Sequence, residues 1–161
     1  METLIDRPAR TAMAEALRHL AAGRISNDQF VERLGLASRD AAVMEIHLNG
    51  AWYLYDDTRE HRLTGRQRLD GEGRREVARW ILFLKTDLEY EWPSLRGLRW
   101  MLLLLLSAVT LGAAGALYRR RMRRAGDIEV WPFLRRQDYE AALAQPPYLT
   151  GWKCRPPVLS H

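Results

Sequence analysis

Cysteine is almost missing from this chain: Cys154 is the only one. A single thiol excludes an intramolecular disulfide and any metal site built from several thiolates, and it is compatible with a reducing compartment. Lysine is nearly as scarce, since Lys85 and Lys153 are the only two among 25 basic residues. Gly65, Gly71 and Gly73 are followed by no Gly-Lys-Ser or Gly-Lys-Thr and preceded by no strand pattern, so they form no phosphate loop. No Gly-x-Ser-x-Gly and no Cys/His pairing marks a nucleophile. The N-terminus, METLIDRPARTAMAEALRHL, lacks the unbroken apolar core of a secretory signal and reads as mature protein.

What is present argues for order. In 161 residues, 47% are hydrophobic and six Trp and six Tyr occur, while 28% charged residues keep the mean hydropathy at −0.34. That composition fits one packed core rather than a disordered chain. The net charge of +5 is unevenly placed. Residues 1–95 hold 14 Lys or Arg against 16 Asp or Glu, whereas residues 96–161 hold 11 against 4.

The apolar spacing predicts a mainly α fold: a small helical domain, one strongly apolar helix and a short C-terminal region. In the domain, residues 1–95, Pro8 sits in a first turn and Met13, Ala16, Leu17, Leu20 and Ala21 recur at helical spacing until Gly23. Ser26 with Gln29 three residues on has the pattern of a capping box, and Phe30, Val31 and Leu34 supply the apolar side of a second helix, so residues 8–35 read as an αα-hairpin. A helix over 38–56 follows, with Ser38 opening it and Asn49-Gly50 as a break or kink. Residues 62–75 read as an exposed loop. Val77, Trp80, Ile81, Leu84 and Leu88 then predict an amphipathic helix over 76–91, stopped by Pro93. Past residue 119 come a basic flank and a tail, with a break at Gly126, an extended piece over Ile128–Phe133, a small helix over Arg136–Ala144, and two Pro-Pro pairs.

The piece LAAGRISNDQFVERL resembles the helical hairpins of many small bacterial proteins, where a Gly-Arg-Ile-Ser turn joins two short amphipathic helices, often near a membrane segment. The resemblance implies association between helices and no chemistry. YLYDD, ARWILFLKTDLEYEWP and VWPFLRRQDYEAAL in that order resemble an uncharacterised family of short bacterial proteins, which implies no activity and no functional residues.

From Met101 to Tyr118 the chain has no charge. As a helix at about 1.5 Å per residue this stretch, or 100–118 with Trp100, spans roughly 27 Å, close to the ~30 Å apolar thickness of a bilayer. Trp100 and Tyr118 stand where interfacial aromatics belong, and Arg119, Arg120, Arg121, Arg123 and Arg124 would meet anionic headgroups. Ala108, Gly112 and Ala116 form a small-residue stripe suited to helix packing or to a homo-oligomer. The arginines favour a cytoplasmic C-terminus, yet that orientation would export a domain without a signal sequence. The stretch is therefore read as a membrane segment, with three alternatives: an interfacial or re-entrant segment, or the buried core helix of a soluble protein.

Tyr55-Asp56-Asp57-Thr58-Arg59-Glu60-His61 is the one crowding of carboxylates with a histidine. A metal-dependent enzyme built on Asp56, Asp57, Glu60 and His61 is conceivable, but salt bridging to Arg59 and Arg62 explains the cluster as well. His19 and His47 read as ordinary surface or boundary residues. RRRMRR has no interleaved aromatics and belongs to no recognised nucleic-acid module, so nucleic acid is not an expected partner.

The sequence thus leads to the expectation of a non-enzymatic protein without cofactor or metal, at the bacterial inner membrane with part of the chain cytoplasmic, or else wholly cytoplasmic. It would act through another protein as an adaptor, membrane-system subunit or toxin-immunity protein. The surfaces expected to carry that contact are the aromatic patch Trp52, Tyr53 and Tyr55 and the acidic end Asp87, Glu89 and Glu91.

Overall fold

Asp6 opens the first helix, α1 (Arg7–Ala21): its carboxylate accepts the Ala9 N–H at 3.0 Å, and Pro8 lies in the first turn. An aspartate there satisfies an orphan amide, and a proline loses no intrahelical bond. The computed structural model describes residues 5–34, 38–55, 58–93, 105–106 and 113–146. Among these the protein is mainly α-helical and contains no strand. Gly23, at φ +66°, turns the chain after α1, and an added Cβ would lie 2.6 Å from Thr64 Cγ2.

The predicted capping box is present. Ser26 N–H donates to Gln29 Oε1 at 3.1 Å and Gln29 N–H to Ser26 Oγ at 3.3 Å, at the head of α2 (Asn27–Leu34).

Two helices differ from the sequence reading at both of their ends. The expected helix over 38–56 is a shorter α3 (Ala41–Asn49), capped by Asp40, followed by a tight 3-10 turn at Ala51–Leu54. Ser38 instead donates to Asp6 Oδ2, and Gly50 ends the helix because its backbone leaves the helical region where a Cβ would come within 2.8 Å of Ile46 O. The expected loop over 62–75 gives way to helix at Gly71, so α4 (Gly71–Leu84) starts before and ends before the predicted 76–91. Asp70 accepts the Gly73 N–H at 2.7 Å and offsets the poor helical preference of two glycines, while Thr86 Oγ donates to Phe83 O and closes the far end.

After α5 (Ala113–Ala125) and Gly126, the expected extended piece is a 3-10 turn at Ile128–Val130 leading to a cis Trp131–Pro132 bond. Then α6 (Arg136–Ala144) follows over the predicted residues.

The core explains these departures. α4 is its spine, burying Val77, Trp80, Leu82, Phe83 and Leu84, more than one helical stripe. α1 and α3 cover one side with Met13, Leu17, Leu20 and Ile46, and the region expected to be a tail covers the other with Val130, Phe133 and Ala142. Phe83 meets Phe133 edge-on at 5.0 Å and Trp80 meets Trp131 at 5.9 Å. The indole Nε1–H of Trp92, in the buried interior, donates to Pro132 O and Phe133 O, both at 3.1 Å. The chain on either side of the apolar stretch thus meets in one core. No helix among the described residues is long and apolar enough to cross a membrane, and most of 101–112 lies outside them.

Candidate functional site

The 3-10 turn after α3 forms an aromatic ledge. Trp52 is 44% and Tyr53 78% exposed, and Leu48 beside them is 49% exposed. Tyr55 half-buries its ring against Phe30, centroids 6.0 Å apart, and keeps Trp52 within 6.5 Å. Beneath the ledge lies His47, which is buried rather than a surface residue: its ring stands 6.2 Å from Phe30 and 6.2 Å from Trp52, and its Nε2 meets no hydrogen-bond partner. Burial pushes the imidazole below its ordinary value, because the surrounding rings disfavour the charged form.

The acidic end is partly engaged within the fold. Asp87 pairs with Arg7, Glu91 lies 3.9 Å from Arg135, and Glu89 is exposed. Arg7 comes from the start of α1 and Arg135 from the turn before α6, so these pairs link the segment after α4 to the heads of both helices.

Glu60 and His61 also bind within the fold. Glu60 Oε1 accepts from Ser26 Oγ at 2.6 Å, and His61 N–H donates to Asn27 Oδ1 at 2.8 Å while its carbonyl accepts the Asn27 N–H. They fasten the 58–63 segment to the head of α2. Asp56 and Asp57 lie outside the described residues, and among those described no three His, Cys, Asp or Glu side chains group as metal ligands would.

Ala108 and Gly112 of the stripe also lie outside the described residues, and Ala116 is exposed on α5. Arg120, Arg121 and Arg124 extend from the second half of α5 into solvent; of Arg119 and Arg123 only the backbone is described. Leu105, Leu106 and Leu117 are 64%, 46% and 66% exposed, none of them packed into the core.

Two features escape a reading of the sequence. The first is Arg10, fully buried, whose guanidinium binds Asp40 and donates to Thr86 O at 3.1 Å and Leu88 O at 2.8 Å, locking α1, α3 and the end of α4 together. The second is a groove of about 520 Å³ between α1 and α4, with Arg18, Arg68 and Arg74 around a floor that includes Leu63, Val77 and Ile81. No short motif announces either, because the residues come from separate segments.

Compared with protein-family models, with curated proteins and with solved structures, the chain has no match.

Proposed function

We propose that this is a non-enzymatic, membrane-associated interaction protein whose apolar stretch enters and leaves the bilayer on one face while the helical domain offers its aromatic ledge to another protein. The observation that carries the reading is the pairing of exposed Leu105, Leu106 and Leu117 with the exposed arginines 120, 121 and 124 that follow on α5. Burying each leucine in hydrocarbon is worth about 1.5–3 kcal/mol, and each arginine near an anionic surface adds about 1 kcal/mol. The hydrogen bonds from Trp92 to Pro132 and Phe133 favour entry and exit on the same face, since a single crossing between residues 93 and 127 would part these groups. A helix apolar at one end and cationic at the other suits that geometry, with its head in hydrocarbon and its arginines at the phosphates.

The ledge supports the partner half of the reading. Trp and Tyr give large rigid contact area, and an exposed Leu48–Trp52–Tyr53 patch over a firm aromatic base matches the anchors found at protein interfaces.

Flotation of the full chain with vesicles in the absence of detergent, combined with labelling by a membrane-impermeant maleimide, tests the proposal. In a Cys154→Ser background, Glu89→Cys and Glu140→Cys should both be modified from the same side. A chain that stays at the bottom of the gradient rejects the membrane association, and labelling from opposite sides rejects the same-face arrangement. Trp52→Ala with Tyr53→Ala should leave flotation unchanged and abolish the proteins cross-linked to the wild-type ledge.

A further inference from the structure

We propose that the groove between α1 and α4 binds the phosphate of an anionic phospholipid, an inference that rests on the membrane association proposed above. Arg18 reaches it from α1, Arg68 from the turn before α4, and Arg74 from the first turns of α4. No carboxylate lines the groove, and the three guanidinium groups make no ion pair or hydrogen bond among the described residues. By comparison, Arg10 pairs with Asp40, and Arg136 with Asp127 and Glu129. Three arginines line the groove with no carboxylate among its walls, so an anion would supply the counter-charge.

The chemistry of the ligand follows from the walls and the floor. Guanidinium is planar and matches the oxygens of a phosphate in bidentate fashion. Leu63 and Val77 are buried in the floor and Ile81 is half-buried, which provides an apolar bed for the glycerol carbons and the first methylenes of an acyl chain. At about 520 Å³ the groove falls within the range of small-ligand sites. No aromatic ring lines it, so a nucleic acid would find nothing on which to stack a base.

The test uses the full chain in a neutral detergent, titrated by calorimetry with dioctanoyl phosphatidylglycerol, dioctanoyl phosphatidylcholine, glycerol 3-phosphate and a single-stranded oligonucleotide. The expected result is one bound phosphatidylglycerol, held at least tenfold more tightly than phosphatidylcholine or glycerol 3-phosphate. Near an anionic headgroup each arginine contributes about fivefold, so Arg18→Gln with Arg74→Gln should weaken binding on the order of 20-fold. Arg66→Gln, outside the groove, should leave it unchanged, as should Arg120→Gln with Arg121→Gln and Arg124→Gln. Equal binding of the two lipids overturns the proposal, as does glycerol 3-phosphate binding as tightly as the lipid, or displacement of the lipid by the oligonucleotide. Unchanged affinity in the double variant overturns it too, as does equal loss in either control. Flotation with purely zwitterionic vesicles separates this inference from the membrane reading. A double variant that still floats but has lost the tighter calorimetric binding of phosphatidylglycerol upholds both, while a wild type that floats yet binds the two lipids equally in calorimetry overturns the groove alone.

Discussion

The guanidinium of Arg10 and the carboxylate of Asp40 meet side-on in the interior, Nε to Oδ2 at 2.6 Å and Nη2 to Oδ1 at 3.2 Å. Asp40 also accepts the Ala42 N–H at the head of α3 and the Asp6 N–H at the head of α1, so one carboxylate caps a helix, neutralises a buried cation and anchors the start of α1. Desolvating both charges is costly, and the full set of hydrogen bonds to each is what makes the pair tolerable.

Removing one member should therefore be severe. Arg10→Met leaves Asp40 buried and unpaired and is expected to lower unfolding free energy by about 3–5 kcal/mol. Asp40→Asn keeps a capping oxygen yet strands the guanidinium and should fall in the same range. Urea denaturation of both single variants and the double variant checks this, with the double costing clearly less than the two singles added.

His47 predicts an acid-sensitive fold. Its folded pKa is depressed by burial, so the native state holds it neutral while the unfolded chain protonates it near pH 6.5. Stability from this site is complete above that value and declines as pH falls below it, by at most about 1.4 kcal/mol per pH unit. Urea midpoints between pH 5 and 8 should fall on the acid side in the wild type, and His47→Leu should flatten the part between pH 5 and 7.

Gly23 and Gly65 make a matched pair. Both have positive φ, +66° and +57°, but a Cβ at Gly23 would strike Thr64 whereas nothing lies within 4 Å at Gly65. Gly65→Ala should cost about 1–2 kcal/mol for the left-handed backbone alone. Thermal melts should show Gly23→Ala costing more; equal losses would remove the steric half of the argument.

Trp92 ties the C-terminal region to the spine. Trp92→Phe keeps most of the apolar contact and deletes the donor to Pro132 and Phe133, an expected cost of roughly 1–2 kcal/mol. Hydrogen exchange should quicken in residues 128–144 before it does in α1.

Where structure depends on neighbours a few residues apart, it could be read directly. Ser26 and Gln29 cap each other across one turn, Pro8 sits where a first turn accepts it, Gly126 follows the last turn of α5, and α6 covers its predicted span. Exposure of Trp52 and Tyr53 was legible as an aromatic patch, although the half-burial of Tyr55 was not. The start of α4 was hidden because Gly71 and Gly73 resemble a loop and only the Asp70 cap and the packing above it overcome their preference.

Composition and local pattern were enough to establish a mainly helical chain, the hairpin at its start and the uncharged stretch from Met101 to Tyr118. Those features rest on periodicity and on bonds that span three or four residues. Tertiary packing decided that Arg10 is buried against Asp40, 30 positions away, that Trp92 holds residues 40 positions beyond it, and that Arg18, Arg68 and Arg74 line one groove. Such partners are distant in the chain, and only the folding of α1 and the C-terminal region onto α4 brings them within hydrogen-bonding or Coulombic reach.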